Sequence, residues 1–140
     1  MVRFSRVAAT VVFVGLAFAV LVGCDSGGSR LEGTQWRLVG WTVSSIDPAN
    51  VMITAEFAQD RLSGNSGVNS YSGPYKLGPG DTFAGGPFAG TLMAGPEPTM
   101  RAESAYLQLL GQAKSYKVSH GTLTLYEEGG NESLTFEAAN

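Results

Sequence analysis

Side chains able to do covalent or acid-base chemistry are few in this 140-residue chain, which has one cysteine, Cys24, and one histidine, His120. A hydrolytic triad needs a nucleophile, a base and an orienting acid within reach of one another, and a metal site needs several ligands on one locus. His120 stands beside Gly121 in a predicted turn, without such partners nearby in sequence. Ser66, in Gly64-Asn65-Ser66-Gly67, falls short of a nucleophile elbow, because that motif wants glycine two residues after the serine and Val68 is there. Glu127, Glu128 and Glu132 flank a predicted hairpin turn and read as a solvated rim. Glu103 lies beside the apolar stripe of a predicted helix, where a buried bond to a backbone amide or a tyrosine is the expected role rather than proton transfer. The expectation is no catalytic residue, no metal and no cofactor.

Cys24 points elsewhere. Arg3 and Arg6 give a positive start, and Val7 to Val22 is an apolar run without charge, the layout of a secretory signal. The run ends in Leu21-Val22-Gly23-Cys24, which resembles the lipobox of bacterial lipoproteins. Such a motif implies cleavage between Gly23 and Cys24, a diacylglycerol on the thiol and a further acyl chain, such as palmitate, on the new amine. A membrane-spanning anchor would need about 20 apolar residues, and this run is shorter and stops at Gly-Cys-Asp-Ser-Gly-Gly. Residues 1–23 are therefore expected to be a lipoprotein signal peptide, 24–29 a lipidated tether and 30–140 the domain. Two or three acyl chains hold stably where one is marginal. The expected place is the cell envelope, on the extracytoplasmic side of a membrane. Asp25 resembles the inner-membrane retention signal of enteric lipoproteins, which applies where the source has two membranes.

The elements that would position any site begin after the tether. Period-two alternation marks strands at Thr34 to Val39, with Trp36 and Leu38 on one face, and at Val51 to Ala58, with Ile53, Ala55 and Phe57 on one face. Gly64 to Asn69 reads as a tight reversal built by glycine and asparagine, leading into a strand from Tyr71 to Leu77 with Tyr71 and Tyr75 on one face. Gly78 to Pro98 is rich in glycine and proline. There Thr82-Phe83 and Phe88 to Met93 are short strands, with Phe83, Phe88, Leu92 and Met93 as apolar anchors. Thr99 to Lys114 changes to helical period, with Tyr106, Leu110 and Ala113 on the buried stripe and Thr99 as the cap. Glu103 falls near the first turn, where a carboxylate suits the helix dipole. Three strands follow, around Tyr116 and Val118, Leu123 and Leu125, and Leu134 and Phe136, joined as hairpins.

In this order the pieces resemble the META domain family, which includes the HslJ-type heat-shock lipoproteins. The likeness runs from Leu31-Glu32-Gly33-Thr34-Gln35-Trp36-Arg37-Leu38 through Gly67-Val68-Asn69-Ser70-Tyr71-Ser72-Gly73-Pro74-Tyr75 and Thr91-Leu92-Met93-Ala94 to Leu134-Thr135-Phe136. It implies a mostly β fold, a curved antiparallel sheet or small lipocalin-like barrel with one helix inserted before the last three strands. It also implies an envelope protein linked to stress or drug tolerance, without catalytic activity. Many relatives carry cysteines where this chain has Val68 and Gly95. Their joint absence suggests that the two pair where present, so no redox role carries over.

Removing residues 1–23 leaves seven basic against twelve acidic side chains, a balance without an electrostatic footprint for nucleic acid or anionic lipid headgroups. The first functional expectation is a non-enzymatic binding or interaction module, lipid-anchored through Cys24, with Asn65, Asn69, Tyr71 and Tyr75 as its candidate surface and a protein partner. The alternative is a carrier of a small apolar ligand inside the barrel, where Gly85, Gly86, Ala89 and Gly90 would leave room.

Overall fold

The computed structural model describes residues 31–43 and 45–139. The expected signal peptide, Gly23–Cys24 cleavage site and lipidated tether lie outside the described residues. Nine strands occur in chain order: β1 Thr34–Trp41, β2 Thr54–Ala58, β3 Arg61–Asn65, β4 Ser70–Gly78, β5 Thr82–Gly85, β6 Ala89–Gly90, β7 Ser115–Ser119, β8 Thr122–Tyr126 and β9 Glu132–Ala138. One helix, α1 Glu97–Gln112, precedes the last three strands, and a short 3-10 turn covers Pro48–Asn50.

Every pairing is antiparallel, in the order β3-β2-β1-β9-β8-β7-β5-β4, and β3 also pairs with β4. Eight strands thus close a barrel. β6 lies outside that circuit, pairing with β4 at Tyr71↔Gly90 and Ser72↔Ala89, beyond the end of β5. The seam between β5 and β7 is thin: Thr82 faces Ser115, flanked by the bonds Phe83 N–H to Lys114 O and Tyr116 N–H to Asp81 O. In β1 one extra residue, Val39, bulges between Leu38 and Gly40 opposite β9 and is left exposed.

Alternation decides what fills the interior. Trp36, Leu38, Ala55, Phe57, Tyr71, Tyr75, Leu123, Leu125, Leu134 and Phe136 point inward, and α1 adds Tyr106 and Leu110. Eight strands enclose a space just wide enough for side chains to fill. Edge-to-face rings run through it, Tyr71 to Tyr106 at 5.5 Å and Tyr106 to Phe136 at 6.3 Å. Each such pair adds about 0.5–1.5 kcal/mol beyond burial. Gly85 and Gly86, expected to leave room inside, instead pack beside Phe88, and Ala89 and Gly90 are exposed.

Three further expectations are corrected. Arg61–Asn65 is a strand and not the start of the turn, because Gly64 passes so close to β2 that a Cβ would lie 2.1 Å from the Thr54 carbonyl oxygen. The helix starts two residues before Thr99, with Pro96 at the cap and no side-chain cap bond; Pro98 fits the first turn, whose N–H groups need no helical partner. Leu92 and Met93 are not anchors: they stand 99% and 58% exposed, beyond the end of β6.

Gly64→Ala is expected to lower the urea midpoint by the equivalent of about 2 kcal/mol or more, since backbone stands where the methyl must go. Gly111→Ala, in α1 with open space around it, should raise stability by up to about 1 kcal/mol. Equal midpoints for the two variants would contradict this packing.

Candidate functional site

A buried carboxylate organises the polar residues. Glu103 sits in the second turn of α1 and reaches the turn between β3 and β4. Its Oε2 accepts bonds from the backbone N–H of Asn69 at 2.8 Å and of Val68 at 3.2 Å, and its Oε1 accepts from Asn69 Nδ2 at 2.7 Å. The Ser66 hydroxyl lies 2.8 Å from both Glu103 Oε2 and the Asn69 carbonyl oxygen, two acceptors sharing its one proton. Burial alone would raise the pKa of Glu103, but the bonds from Asn69, Ser66 and Val68 outweigh it and hold the carboxyl below its ordinary value.

Asn69 is the hub of the same cluster and is 3% exposed. Its Oδ1 accepts from Thr91 Oγ1 at 2.8 Å and from the Met93 N–H at 2.7 Å, while Nδ2 also donates to the Met93 carbonyl at 3.1 Å. Both donors and both lone pairs of the side-chain amide are therefore used. Asn65, not Asn69, closes the local turn, accepting from the Gly67 N–H at 2.8 Å.

The tyrosines are equally committed. Tyr71 donates to the Thr54 carbonyl at 2.9 Å and stands 2.6 Å from the Tyr106 hydroxyl; Tyr75 donates to the Ala58 carbonyl at 2.8 Å. Burial pushes the Tyr71 and Tyr106 hydroxyls well above the usual phenol range. Of the four residues expected to form an interaction surface, Asn69, Tyr71 and Tyr75 are thus buried and bonded inward, and Asn65 is half-buried. What the same strands show to solvent is an open groove of about 640 Å³ on the outer sheet face, lined by Arg61, Ser63, Ser70, Ser72, Ala89 and Thr91. Sequence reasoning passed over this face because its hydroxyls are the unremarked polar half of the alternation. Arg61 donates to Ser72 Oγ at 2.7 Å across it.

The remaining candidates lie apart. His120 is exposed in the β7–β8 turn, its Nδ1 2.8 Å from Ser119 Oγ. Its positive φ, like that of Gly121, suits the two-residue hairpin. Glu127, Glu128 and Glu132 border the β8–β9 turn, where Glu127 accepts from Asn131 Nδ2 at 3.0 Å. Among the described residues no cluster of three or more His, Cys, Asp or Glu is placed to hold a metal ion, and no helix is long and apolar enough to cross a membrane.

Residues 29–140 match the META domain family. Among solved structures, the chain is similar to a protein from Burkholderia xenovorans determined by NMR, with a TM-score of 0.67 and 30% identity over 79% of this chain and 84% of that one. A DUF4847 family protein from Bacteroides vulgatus shares the fold at a TM-score of 0.56 and 13% identity, covering 77% of this chain and 94% of its own. Another protein solved by NMR does so at 0.55 and 18%, over 77% and 91%. No curated protein matches the chain.

The lowered pKa fixes the sign of a pH effect. The Glu103 contribution to stability is complete above its ordinary value of 4.5 and disappears as pH falls through the lower folded value. Glu103→Gln, which sets an amide N–H against groups that are already donors, should cost about 2–3 kcal/mol at neutral pH and flatten that acid limb in urea titrations. An unchanged acid limb would remove Glu103 from this role.

A second test concerns the neighbouring turn. A Cβ at Gly95 would lie 3.3 Å from the Val68 Cβ, close to the roughly 3.5–4.5 Å of a disulfide. The pair Val68→Cys and Gly95→Cys should oxidise to an intramolecular disulfide and raise the melting temperature under non-reducing conditions. Free thiols at both positions 68 and 95 after oxidation, read by peptide mass, would show that the two loops are not so placed.

Proposed function

The chain belongs to the META domain family, and on that premise we propose a non-catalytic binding module, anchored through a lipid on Cys24 to the extracytoplasmic side of a cell-envelope membrane. It contributes there to envelope stress or drug tolerance by contacts of its outer surface with a protein or membrane partner. The observation that carries this reading is the use made of its reactive-type side chains. Ser66, Asn69 and Glu103 bond one another and the backbone of two segments, the β3–β4 turn and the stretch at Met93, with Ser66 wholly buried. These are the bonds of a clamp, and they leave no hydroxyl or carboxylate of the cluster turned to a substrate.

The interior favours the same assignment. Large side chains such as Tyr106, Phe57, Phe136 and Leu125 occupy the space an apolar ligand would need, and every buried side-chain nitrogen or oxygen among the described residues has a partner. Binding is therefore assigned to the outside of the barrel. The anchor rests on the apolar run and the Leu21-Val22-Gly23-Cys24 motif.

In cells, Cys24→Ala should accumulate as an uncleaved precursor, whereas the parent should yield a chain beginning at Cys24 with the added mass of acyl groups. Recovery of mature-sized protein from the variant would overturn the anchor.

A further inference from the structure

Leu92 is 99% exposed, yet it is held in place on both sides. Thr91 before it and Met93 after it are bonded to the same side-chain amide, that of Asn69, through Thr91 Oγ1, the Met93 N–H and the Met93 carbonyl. The Thr91 N–H further donates to the Ser70 carbonyl at 3.0 Å, and the Ser70 N–H to Thr91 Oγ1 at 3.2 Å. Asn69 is in turn fixed by Glu103. A large apolar side chain is thus set at the tip of a pinned loop with Met93 beside it, at a cost in water exposure that the fold does not require.

The surroundings narrow what Leu92 meets. Residues 61–96 hold one of the chain's twelve carboxylates, Asp81, and carry Arg61 and Lys76. The groove next to Leu92 is lined by Arg61 among serines, Ala89 and Thr91, and the exposed Glu56 of β2 stands opposite Ser63 at its edge. Glu32 and Asp60 stand near Lys76, at the other end of β4, and Glu97, five residues after Leu92, lies 3.9 Å from Arg101. This apolar-tipped face, with Arg61 balanced by Glu56, is therefore nearly neutral where the chain as a whole is acidic.

The tether decides between occupants. From Cys24 to Leu31 the chain reaches at most about 25 Å, less than the diameter of a domain whose radius of gyration is about 13 Å. A domain so tied stays within about one domain diameter of the bilayer, which is the surface it meets most often. Headgroups of anionic lipid repel the acidic faces and repel this nearly neutral one least.

We propose that Leu92 and Met93 form a membrane-inserting tip, which dips into the lipid headgroup and acyl boundary and lays the β4–β6 face of the barrel on the bilayer. This proposal rests on the lipid-anchor reading above, and its test supplies the anchor chemically so that the two can fail separately. The chain beginning at Cys24, which carries every described element, is coupled through its single thiol to maleimide lipid in phosphatidylcholine vesicles, with and without phosphatidylglycerol, containing brominated acyl chains. Leu92→Trp replaces an exposed residue, so folding is retained, and Glu128→Trp on the β8–β9 turn is the control.

Bromolipid should quench most of the emission added at position 92, with a blue shift, and leave that added at position 128 unchanged. Equal quenching at both positions, or none at 92, would overturn the tip. So would a concentration-dependent doubling of mass in the absence of vesicles that Leu92→Asp abolishes, since Leu92 would then be covered by a second copy. These outcomes are independent of whether cells acylate Cys24, which the Cys24→Ala experiment decides.

Discussion

A carboxylate taken out of water must be met by donors, and that requirement at Glu103 is what the rest of the structure depends on. The donors come from Ser66, Val68 and Asn69, 34 to 37 residues earlier in the chain. Meeting them fixes α1 against the β3–β4 turn and sets the depth at which Tyr106 reaches Tyr71 inside the barrel. Through Asn69 the same charge also fixes the segment from Thr91 to Met93. One ionised group therefore ties together a helix, a hairpin turn and an irregular loop. Hydrogen bonds to a charged group are worth about 1.5–3 kcal/mol, so a set of this kind is large on the scale of a small domain's stability.

The helix is needed for a topological reason. β4 is flanked on one edge by β3 and on the other by two short strands in series, β5 and then β6. β5 reaches β7 at a single residue pair before the strands diverge. A seam so short leaves the barrel poorly closed by backbone bonds alone. α1 lies in the connection from β6 to β7 and packs on β5 and β9, bringing Leu110 and Tyr106 to the interior where ladder bonds give out.

Much of this was legible in the sequence wherever one face of an element is buried. Trp36 and Leu38, Ala55 and Phe57, Tyr71 and Tyr75, and Leu123 and Leu125 all alternate, and all point inward. The helical stripe of Tyr106, Leu110 and Ala113 is buried for the same reason. β3 was not legible, because the glycine that reads as a turn is required there by the approach of β2. Leu92 and Met93 were misread because hydrophobicity records a residue's preference for leaving water but not whether the fold grants it. At the site, Glu103 as a buried acceptor of backbone bonds was foreseeable from its place beside the stripe. Its meeting with Asn69 was not, since nothing local links positions so distant.

β6 has one further consequence. Among the described residues it is the strand with a single partner, and its free edge is two residues long, with Pro87 just before it. Proline offers no N–H, and two residues give an incoming strand too little ladder to grip. An open strand edge exposes a barrel to sheet-to-sheet association between copies. The irregular glycine-proline stretch, by cutting the last strand short, deprives fibril growth of a template.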